Sequence, residues 1–403
     1  MTMKSIFATI CSLLAIFSVN SPAVNAGSKS AGVSSKEEPV LIFAVNTKNN
    51  VGYFTDAEGV MLFGKTFDSV SPFSEGLACV YENDKCGFIN TKGELVIPCV
   101  YDYAKDFSGG LSIVQQESCT GVINTRGEEV VPCVFDYIEN FSEGLAVVHY
   151  YNKDGYINTS GEQVIPCIYD FAYQFSGGLA RVCIEGKWDY IDANGRIVIS
   201  TDYDEAYDFV NGLARVCRHG DLGNEFSMNY GYINTSGEEV IPCVYPYALD
   251  FSDGLAVVMR NFKRGYMNTS GEIVVPCEYG DVSWKFSEGY AYVEQDGKYG
   301  FIDMSGKLVI PCKYYSVSLF SEGLACVNQD GKYGYINTRG ECVIPCNYKG
   351  AVSFVNGYAK VSDKEDFDDD SEWSYTCKVI DKTGKVVIPE CVGATTWSYV
   401  KLD

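Results

Sequence analysis

Carboxylates, cysteines and tyrosines are the residues that could perform chemistry in this chain, because histidine is nearly absent. The 403-residue sequence has 53 Asp and Glu, 17 Cys and 30 Tyr, but only two histidines, His149 and His219. Neither histidine stands at metal-ligand spacing from cysteines or carboxylates. We therefore predict no metal site, no cofactor and no catalytic residues, and we interpret the Asp-rich residues 363–370 as a solvated loop rather than a calcium site.

Four glutamates occupy one recurring position before a glycine, and a glycosidase would need a carboxylate pair: Glu75, Glu143, Glu288 and Glu322. Such a pair works only when its two members lie in different environments. A side chain copied along a repeat meets a similar environment each time, so we interpret these glutamates as structural. The alternative is a carbohydrate-active enzyme with a carboxylate pair on a propeller-like face.

The elements that position these side chains repeat along the chain. The proline of an Ile-Pro-Cys motif returns about every 34 residues, with Ser200 in its place once, at Pro98, Pro132, Pro166, Pro242, Pro276, Pro311, Pro345 and Pro389. Phe-x-x-Gly and Gly-Tyr-Ile-Asn recur with the same period. Such self-similarity is typical of repeat architectures.

One unit, residues 334–361, indicates three short antiparallel strands. A Tyr-Ile strand leads into an Asn-Thr-Arg-Gly turn, and a Cys-Val-Ile strand ends at Pro345. A connection over residues 346–356 precedes the third strand. The fold predicted is all-β, with about ten three-stranded antiparallel units stacked as an open superhelix or solenoid. A closed propeller-like ring is the alternative, and the open form is favoured because no N-terminal strand visibly completes a C-terminal unit.

The repeat pattern resembles the WG-repeat (KWG repeat) family of bacterial secreted and surface proteins. The resemblance is carried by Gly-Lys-Tyr-Gly-Tyr-Ile-Asn-Thr-Arg-Gly-Glu-Cys-Val-Ile-Pro at residues 331–345 and covers about residues 52–389. It departs at the Trp-Gly pair, since Tyr299, Tyr333 or Cys86 stand there, and Trp188 is followed by Asp189. The resemblance implies bacterial origin, a repeat architecture and an interaction role, but no activity.

The ends of the chain predict export. Lys4, an apolar stretch and the small residues before position 27 are typical of a cleaved signal peptide over residues 1–26. Residues 27–50 are predicted to be a flexible leader, and residues 51–403 a single repeat array. The expected location is secreted, periplasmic or cell-surface, with no transmembrane segment after cleavage. A net charge of −22 argues against nucleic acid as a partner.

Seven cysteines share one register directly after the proline, at Cys99, Cys133, Cys167, Cys243, Cys277, Cys312 and Cys346. Stacked sheets lie about 10 Å apart, beyond the Cα separation of a disulfide. We predict a column that is mostly free thiol, although Cys86, Cys119, Cys342 and Cys377 could join non-equivalent pairs. The tyrosines that follow, such as Tyr101 and Tyr169, are interpreted as core residues; an aromatic surface for glycans or peptides is the alternative.

Two insertions break the period at the same inter-unit hairpin, and both carry aromatic side chains in charged surroundings. The candidate binding residues are His219, Glu225, Phe226, Phe367, Asp368 and Trp373. Insertions in repeat proteins are often functional, although drift at hairpin tips is the simpler interpretation. The function predicted is a secreted, non-catalytic scaffold that binds a protein or a surface glycan.

Overall fold

A computed structural model describes residues 40–46, 51–219, 228–364, 376–392 and 396–400. These residues form antiparallel sheets, and no helix occurs among them. Nine successive sheets, here called blades 1 to 9, each derive from one stretch of the repeat, and a tenth three-stranded sheet joins the two ends of the chain. In the part of the chain described, no helix is long and apolar enough to cross a membrane.

A full blade has four strands, which follow one another in the sheet as in the sequence. The first strands are short: β3 (Ser69–Val70), β7 (Tyr103–Ala104), β11 (Tyr137–Ile138), β15 (Phe171–Ala172), β19 (Glu205–Val210), β26 (Asp281–Val282), β30 (Ser316–Val317) and β34 (Gly350–Ala351). Blade 6 has a single bridge there, between Ala248 and Val258. The three-strand prediction was therefore incomplete, because a two-residue strand leaves no periodic pattern.

The second strands carry the apolar Leu-Ala-x-Val segment: β4 (Leu77–Glu82), β8 (Leu111–Gln116), β12 (Leu145–Tyr150), β16 (Ala180–Ile184), β20 (Leu213–His219), β23 (Leu255–Arg260), β27 (Tyr290–Gln295), β31 (Leu324–Gln329) and β35 (Tyr358–Ser362). The third strands follow by a hairpin: β5 (Lys85–Asn90), β9 (Cys119–Asn124), β13 (Lys153–Asn158), β17 (Lys187–Ile191), β21 (Met228–Asn234), β24 (Lys263–Asn268), β28 (Lys298–Asp303), β32 (Lys332–Asn337) and β36 (Thr376–Asp381).

The fourth strands form one edge of each blade: β6 (Leu95–Tyr101), β10 (Glu129–Phe135), β14 (Gln163–Tyr169), β18 (Ile197–Ser200), β22 (Glu239–Tyr245), β25 (Ile273–Tyr279), β29 (Leu308–Tyr314), β33 (Cys342–Tyr348) and β37 (Val386–Val392). They run through the proline, which was wrongly predicted to end them. An edge strand tolerates proline because the missing N–H faces away from the ladder, and the register shifts there in a bulge.

The third-strand glycine is explained by this bulge. A Cβ at Gly155 would lie 2.6 Å from the Ile165 oxygen of the bulged strand. In blade 4, where Ser200 replaces proline, only one register shift remains and Asp189 occupies the glycine position. The glycine and the proline bulge are therefore one structural unit.

The turn between the third and fourth strands is held by an Asn or Asp side chain. Asn337 Oδ1 accepts hydrogen bonds from the backbone N–H groups of Arg339 and Glu341, each at 3.0 Å. Gly340 has a φ of 76° in that turn, which glycine adopts without steric cost. This local hydrogen bonding explains why the Asn-x-x-Gly pattern recurs with the strands.

The closing sheet joins the ends of the chain and makes the array a closed ring. It contains β1 (Val40–Asn46), β2 (Gly52–Thr55) and β38 (Thr396–Val400), with β1 antiparallel to both β2 and β38. One apolar cluster joins β1 to blade 9 and another joins it to blade 1. The open superhelix was therefore wrong, and the propeller-like ring, the stated alternative, is correct.

The error came from residues 40–46, which fall inside the predicted leader over 27–50. They form the strand that completes the ring, with Phe43 and Val45 fully buried. Between the other blades, each interface holds its own apolar cluster, as between Leu145 of blade 3 and Phe175 of blade 4. The core is thus a ring of inter-blade clusters.

Candidate interaction surface

The repeated glutamates connect neighbouring blades. Glu75 accepts hydrogen bonds from the backbone N–H groups of Gly109 and Gly110 at 2.7 and 2.8 Å. Glu143 binds Gly177 and Gly178 in the same way, at 2.8 and 2.9 Å. Two further members of the column follow the pattern, Glu288 to Gly323 and Glu322 to Gly357. These carboxylates are therefore occupied by the backbone of the next blade, which agrees with the structural interpretation.

Serine and tyrosine side chains make two further sets of inter-blade bonds. Ser142 Oγ donates to the Phe175 carbonyl at 2.7 Å, and four other serines repeat this bond. Tyr232, buried in the third strand of blade 5, donates from its hydroxyl to the Leu249 carbonyl. Burial raises the pKa of Tyr232 far above its ordinary value. The polar groups of the repeat thus serve assembly of the ring.

The two histidines lie in separate blades and each pairs with an aspartate. His149 Nδ1 lies 2.6 Å from Asp154 Oδ1, and Asp154 Oδ2 accepts the backbone N–H of Ala172. His219 Nδ1 lies 3.0 Å from Asp204 Oδ2. No group of three potential metal ligands occurs within residues 40–46, 51–219, 228–364, 376–392 and 396–400.

The cysteine column consists of free thiols, as predicted. Each of six members lies 3.7–3.9 Å from the carbonyl oxygen of a valine in the second strand, as Cys277 does with Val258. Burial raises the pKa of the Cys99 thiol to about 11. Tyr169, Tyr245 and Tyr279, which follow the column, are buried, in agreement with the core interpretation.

Two arginines form inter-blade clamps that the sequence did not reveal as such. The Arg181 guanidinium lies 3.4 Å from the Tyr173 ring centroid and donates to the Ala206 carbonyl and to Asp208 in the next blade. Burial raises the pKa of Asp208, and the charge of Arg181 opposes that rise. Arg215 repeats the arrangement with Tyr207, Ala248 and Asp250.

Both predicted insertions fall between the second and third strands, in blade 5 (β20 and β21) and in blade 9 (β35 and β36). Because these are equivalent hairpins, both lie on the face of the ring where such hairpins project, here called the hairpin face. His219 is exposed at the end of β20. The other candidate residues lie outside the described residues: Glu225, Phe226, Phe367, Asp368 and Trp373.

The hairpin face also includes the junctions between blades. In junction 2/3, Asp136 Oδ2 accepts the backbone N–H of Tyr151, at the tip of the blade 3 hairpin, at 3.1 Å. Asp102 and Asp170 bind the tips of blades 2 and 4 in the same way. Each junction aspartate therefore places its neighbours in the sequence beside a hairpin tip.

Two side chains flank each junction aspartate, and they are exposed apolar residues at three consecutive junctions. The pairs are Val100 with Tyr103, Val134 with Tyr137, and Ile168 with Phe171, all 43–57% exposed. We call these six residues the apolar sector. Sequence reasoning missed it, although the residue after Pro-Cys changes from apolar in blades 1–3 to Glu278, Lys313 and Asn347 in blades 6–8.

Known proteins match this chain mainly through the repeat and the fold. The family described as WG containing repeat matches residues 55–86, 87–118, 121–153, 155–188, 190–220, 230–261, 265–299, 299–333 and 333–365. No curated protein matches. A eukaryotic initiation factor structure is 10% identical with a TM-score of 0.52, covering 91% of this chain and 100% of that chain.

Two other similar structures have lower TM-scores. AztD from Citrobacter koseri is 11% identical with a TM-score of 0.33, covering 90% of this chain and 95% of its own. Kluyveromyces lactis Hsv2 is 8% identical with a TM-score of 0.34, covering 62% of this chain and 89% of its own. At these identities the likeness concerns the fold alone.

Proposed function

Because this chain belongs to the family of WG-containing repeat proteins, we propose that it is an exported, non-catalytic scaffold that binds a protein or a surface glycan. The family match spans most of the repeat array. The proposal concerns what the closed ring presents to its surroundings rather than a reaction.

The observation that carries the proposal is the use of the chain's polar side chains. The repeated glutamates, serines and buried tyrosines connect one blade to the next. The features that differ from blade to blade are the hairpin insertions and the exposed junction side chains. Loops and exposed side chains on a rigid scaffold are where binding proteins carry function.

Export is supported by the pattern of residues 1–26, whose charged start, apolar centre and small residues before position 27 fit a secretory signal. The acidic chain would not be attracted to nucleic acid. Mass spectrometry of protein exported from a bacterial host should find Gly27 at the N-terminus. An unprocessed chain retained in the cytoplasm would contradict export.

Binding and catalysis can be separated with one preparation of the mature protein. We expect it to retain an extracellular protein in crosslinked pull-downs, or glycans on an array, without changing them. Release of reducing sugar from a bound polysaccharide, abolished by replacement of two neighbouring carboxylates, would instead establish a carbohydrate-active enzyme. A Glu75→Gln variant is the matched control, because Glu75 binds backbone amides of the next blade.

A further inference from the structure

We propose that the apolar sector is a docking site for a protein segment whose apolar side chains are flanked by lysine or arginine. The inference rests on the proposed binding function and adds a location and a partner chemistry to it. The surface lies on the hairpin face, the face that also carries both insertions. Contiguous exposed apolar side chains on a soluble protein mark interaction sites.

The fold does not require apolar residues at these positions. The same two positions hold Glu278 with Asp281, Lys313 with Ser316, and Asn347 with Gly350 at junctions 6/7, 7/8 and 8/9. Those three junctions form the same strands as the apolar ones. Because the ring closes equally well with polar residues, the exposed Val, Ile, Tyr and Phe side chains need a reason other than folding.

The backbone of the central hairpin in the sector points the same way. Tyr151, 78% exposed, has a φ of 49°, a left-handed conformation that is costly for a bulky side chain. Its ring packs edge-on against Tyr150, with 4.4 Å between ring centroids. The exposed tip therefore keeps an aromatic side chain in an unfavourable conformation without the gain of burial.

A second tip repeats this coincidence. Phe262 in blade 6 is 89% exposed with a φ of 60°, and junction 5/6 beside it carries the apolar Val244 and Tyr247. The polar junctions 6/7 and 7/8 instead adjoin hairpins with an Asp-Gly turn, at Gly297 and Gly331. Strained aromatic tips and apolar junctions thus occur together around the ring.

The charges around the sector select the partner. Each apolar pair encloses one aspartate, and the exposed tips of blades 2 and 4 present Glu117 and Glu185. Lys85 and Lys153 form ion pairs with Asp102 and Asp170. The chain carries a net charge of −22, so a second copy would meet repulsion, whereas a basic segment would be attracted.

The test uses variants that copy residues already present at other junctions. The triple variant Val100→Glu, Val134→Lys and Ile168→Asn takes its residues from junctions 6/7, 7/8 and 8/9, so folding should be retained. The matched control, Glu278→Gln with Lys313→Gln, alters only polar junctions. A circular dichroism melt of each protein verifies the fold before any binding measurement.

The probes are short fluorescent peptides of alternating leucine and lysine, serine and lysine, or leucine and glutamate. We expect the leucine–lysine peptide to bind the wild type and the control alike. Its Kd should rise roughly tenfold or more in the triple variant, and the other two peptides should bind the wild type at least that much more weakly. Tyr151→Asn should give a smaller loss in the same direction.

Three results would overturn the inference. Equal binding of the leucine–lysine and serine–lysine peptides would mean that charge alone attracts them. Unchanged leucine–lysine binding by the folded triple variant would place the docking site elsewhere. Self-association or glycan-array binding that disappears in the triple variant would assign the surface to a second copy or a glycan. If pull-downs still capture a partner through the triple variant, the scaffold function stands while this surface fails.

Discussion

At the scale of the residue, the chain uses polar side chains as connectors between blades. The buried tyrosines illustrate this, because each hydroxyl donates to a carbonyl of the following blade, as in Tyr156, Tyr190 and Tyr335. Phe88 and Phe301 fill the same position in blades 1 and 7 without a hydroxyl. The bond therefore adds to an interface that apolar packing already forms.

The buried tyrosines predict an alkaline limit to stability. Burial raises the pKa of Tyr156, Tyr190, Tyr232, Tyr266 and Tyr335 above the ordinary value of 10.0. A raised folded-state pKa stabilises the fold below the unfolded value, and this contribution is lost as the pH rises above 10. Each group should change the free energy of unfolding by up to about 1.4 kcal/mol per pH unit there.

Urea unfolding from about pH 8 to pH 11 tests this expectation. The wild type should lose stability steeply above about pH 10, and Tyr232→Phe should flatten the slope while costing about 1 kcal/mol at neutral pH. Loss of stability already at about pH 8 would contradict the assignment to tyrosine.

The thiols should differ in reactivity according to their exposure. Cys342 is exposed, whereas burial raises the pKa of Cys243 to about 12 and that of Cys99 to about 11. Because the thiolate is the reactive form, native protein at about pH 8 should alkylate rapidly at Cys342 and slowly at the column. Peptide mapping after brief labelling measures this, with Cys342→Ser as control; fast labelling of the column would contradict it.

The arginine clamps predict one strong and one weak substitution. Arg215→Ala removes two hydrogen bonds to blade 6 and the stacking on Tyr207, so we expect a loss of about 1–3 kcal/mol. Arg218→Ala, which breaks an exposed pair with Asp202, should cost less than about 1 kcal/mol. Chemical denaturation compares the two, and similar losses would show that the clamp contributes little.

At the scale of the element, the sequence predicted three of the four strands, because their apolar alternation and turn residues repeat. It missed the first strand, where only two residues such as Gly350 and Ala351 pair. It also ended the fourth strand at Pro345, since proline weakens a strand unless the strand lies at an edge. Edge position depends on neighbouring strands, which local sequence does not reveal.

The link between glycine and the proline bulge gives a prediction at this scale. A methyl group in Gly155→Ala would meet the Ile165 oxygen at 2.6 Å, so the fourth strand must move at a cost of roughly 1–3 kcal/mol. Lys378 occupies the equivalent position in blade 9 with an exposed ion pair to Asp363. Thermal melts should therefore show a loss for Gly155→Ala and almost none for Lys378→Ala.

At the scale of the whole molecule, closure was the feature that sequence reasoning missed. The strand Val40–Asn46 lacks the repeat motifs, so its partner some 350 residues later could not be read from the sequence. The candidate loops were placed correctly on one hairpin face, but the apolar sector was missed. Recognising that sector requires knowing which of the many apolar residues are exposed.

Closure predicts that the last strand stabilises the first blade as well as the last. Truncation after residue 395 removes β38, which pairs with five residues of β1. At about 1 kcal/mol per backbone hydrogen bond, a loss of a few kcal/mol is expected. Removal of residues 401–403 alone is the control. Hydrogen exchange should then increase in blade 1; an effect confined to blade 9 would contradict the ring.

The pairing of β1 with β38 also sets a timetable for biosynthesis. At about 5–20 residues per second, roughly 20–70 s separate the appearance of the two strands. During that interval β1 has an open edge, which is a template for pairing with other chains. The nascent protein is therefore most vulnerable to aggregation while it is nearly complete, and slow elongation should reduce its yield more than a shortage of any single blade contact.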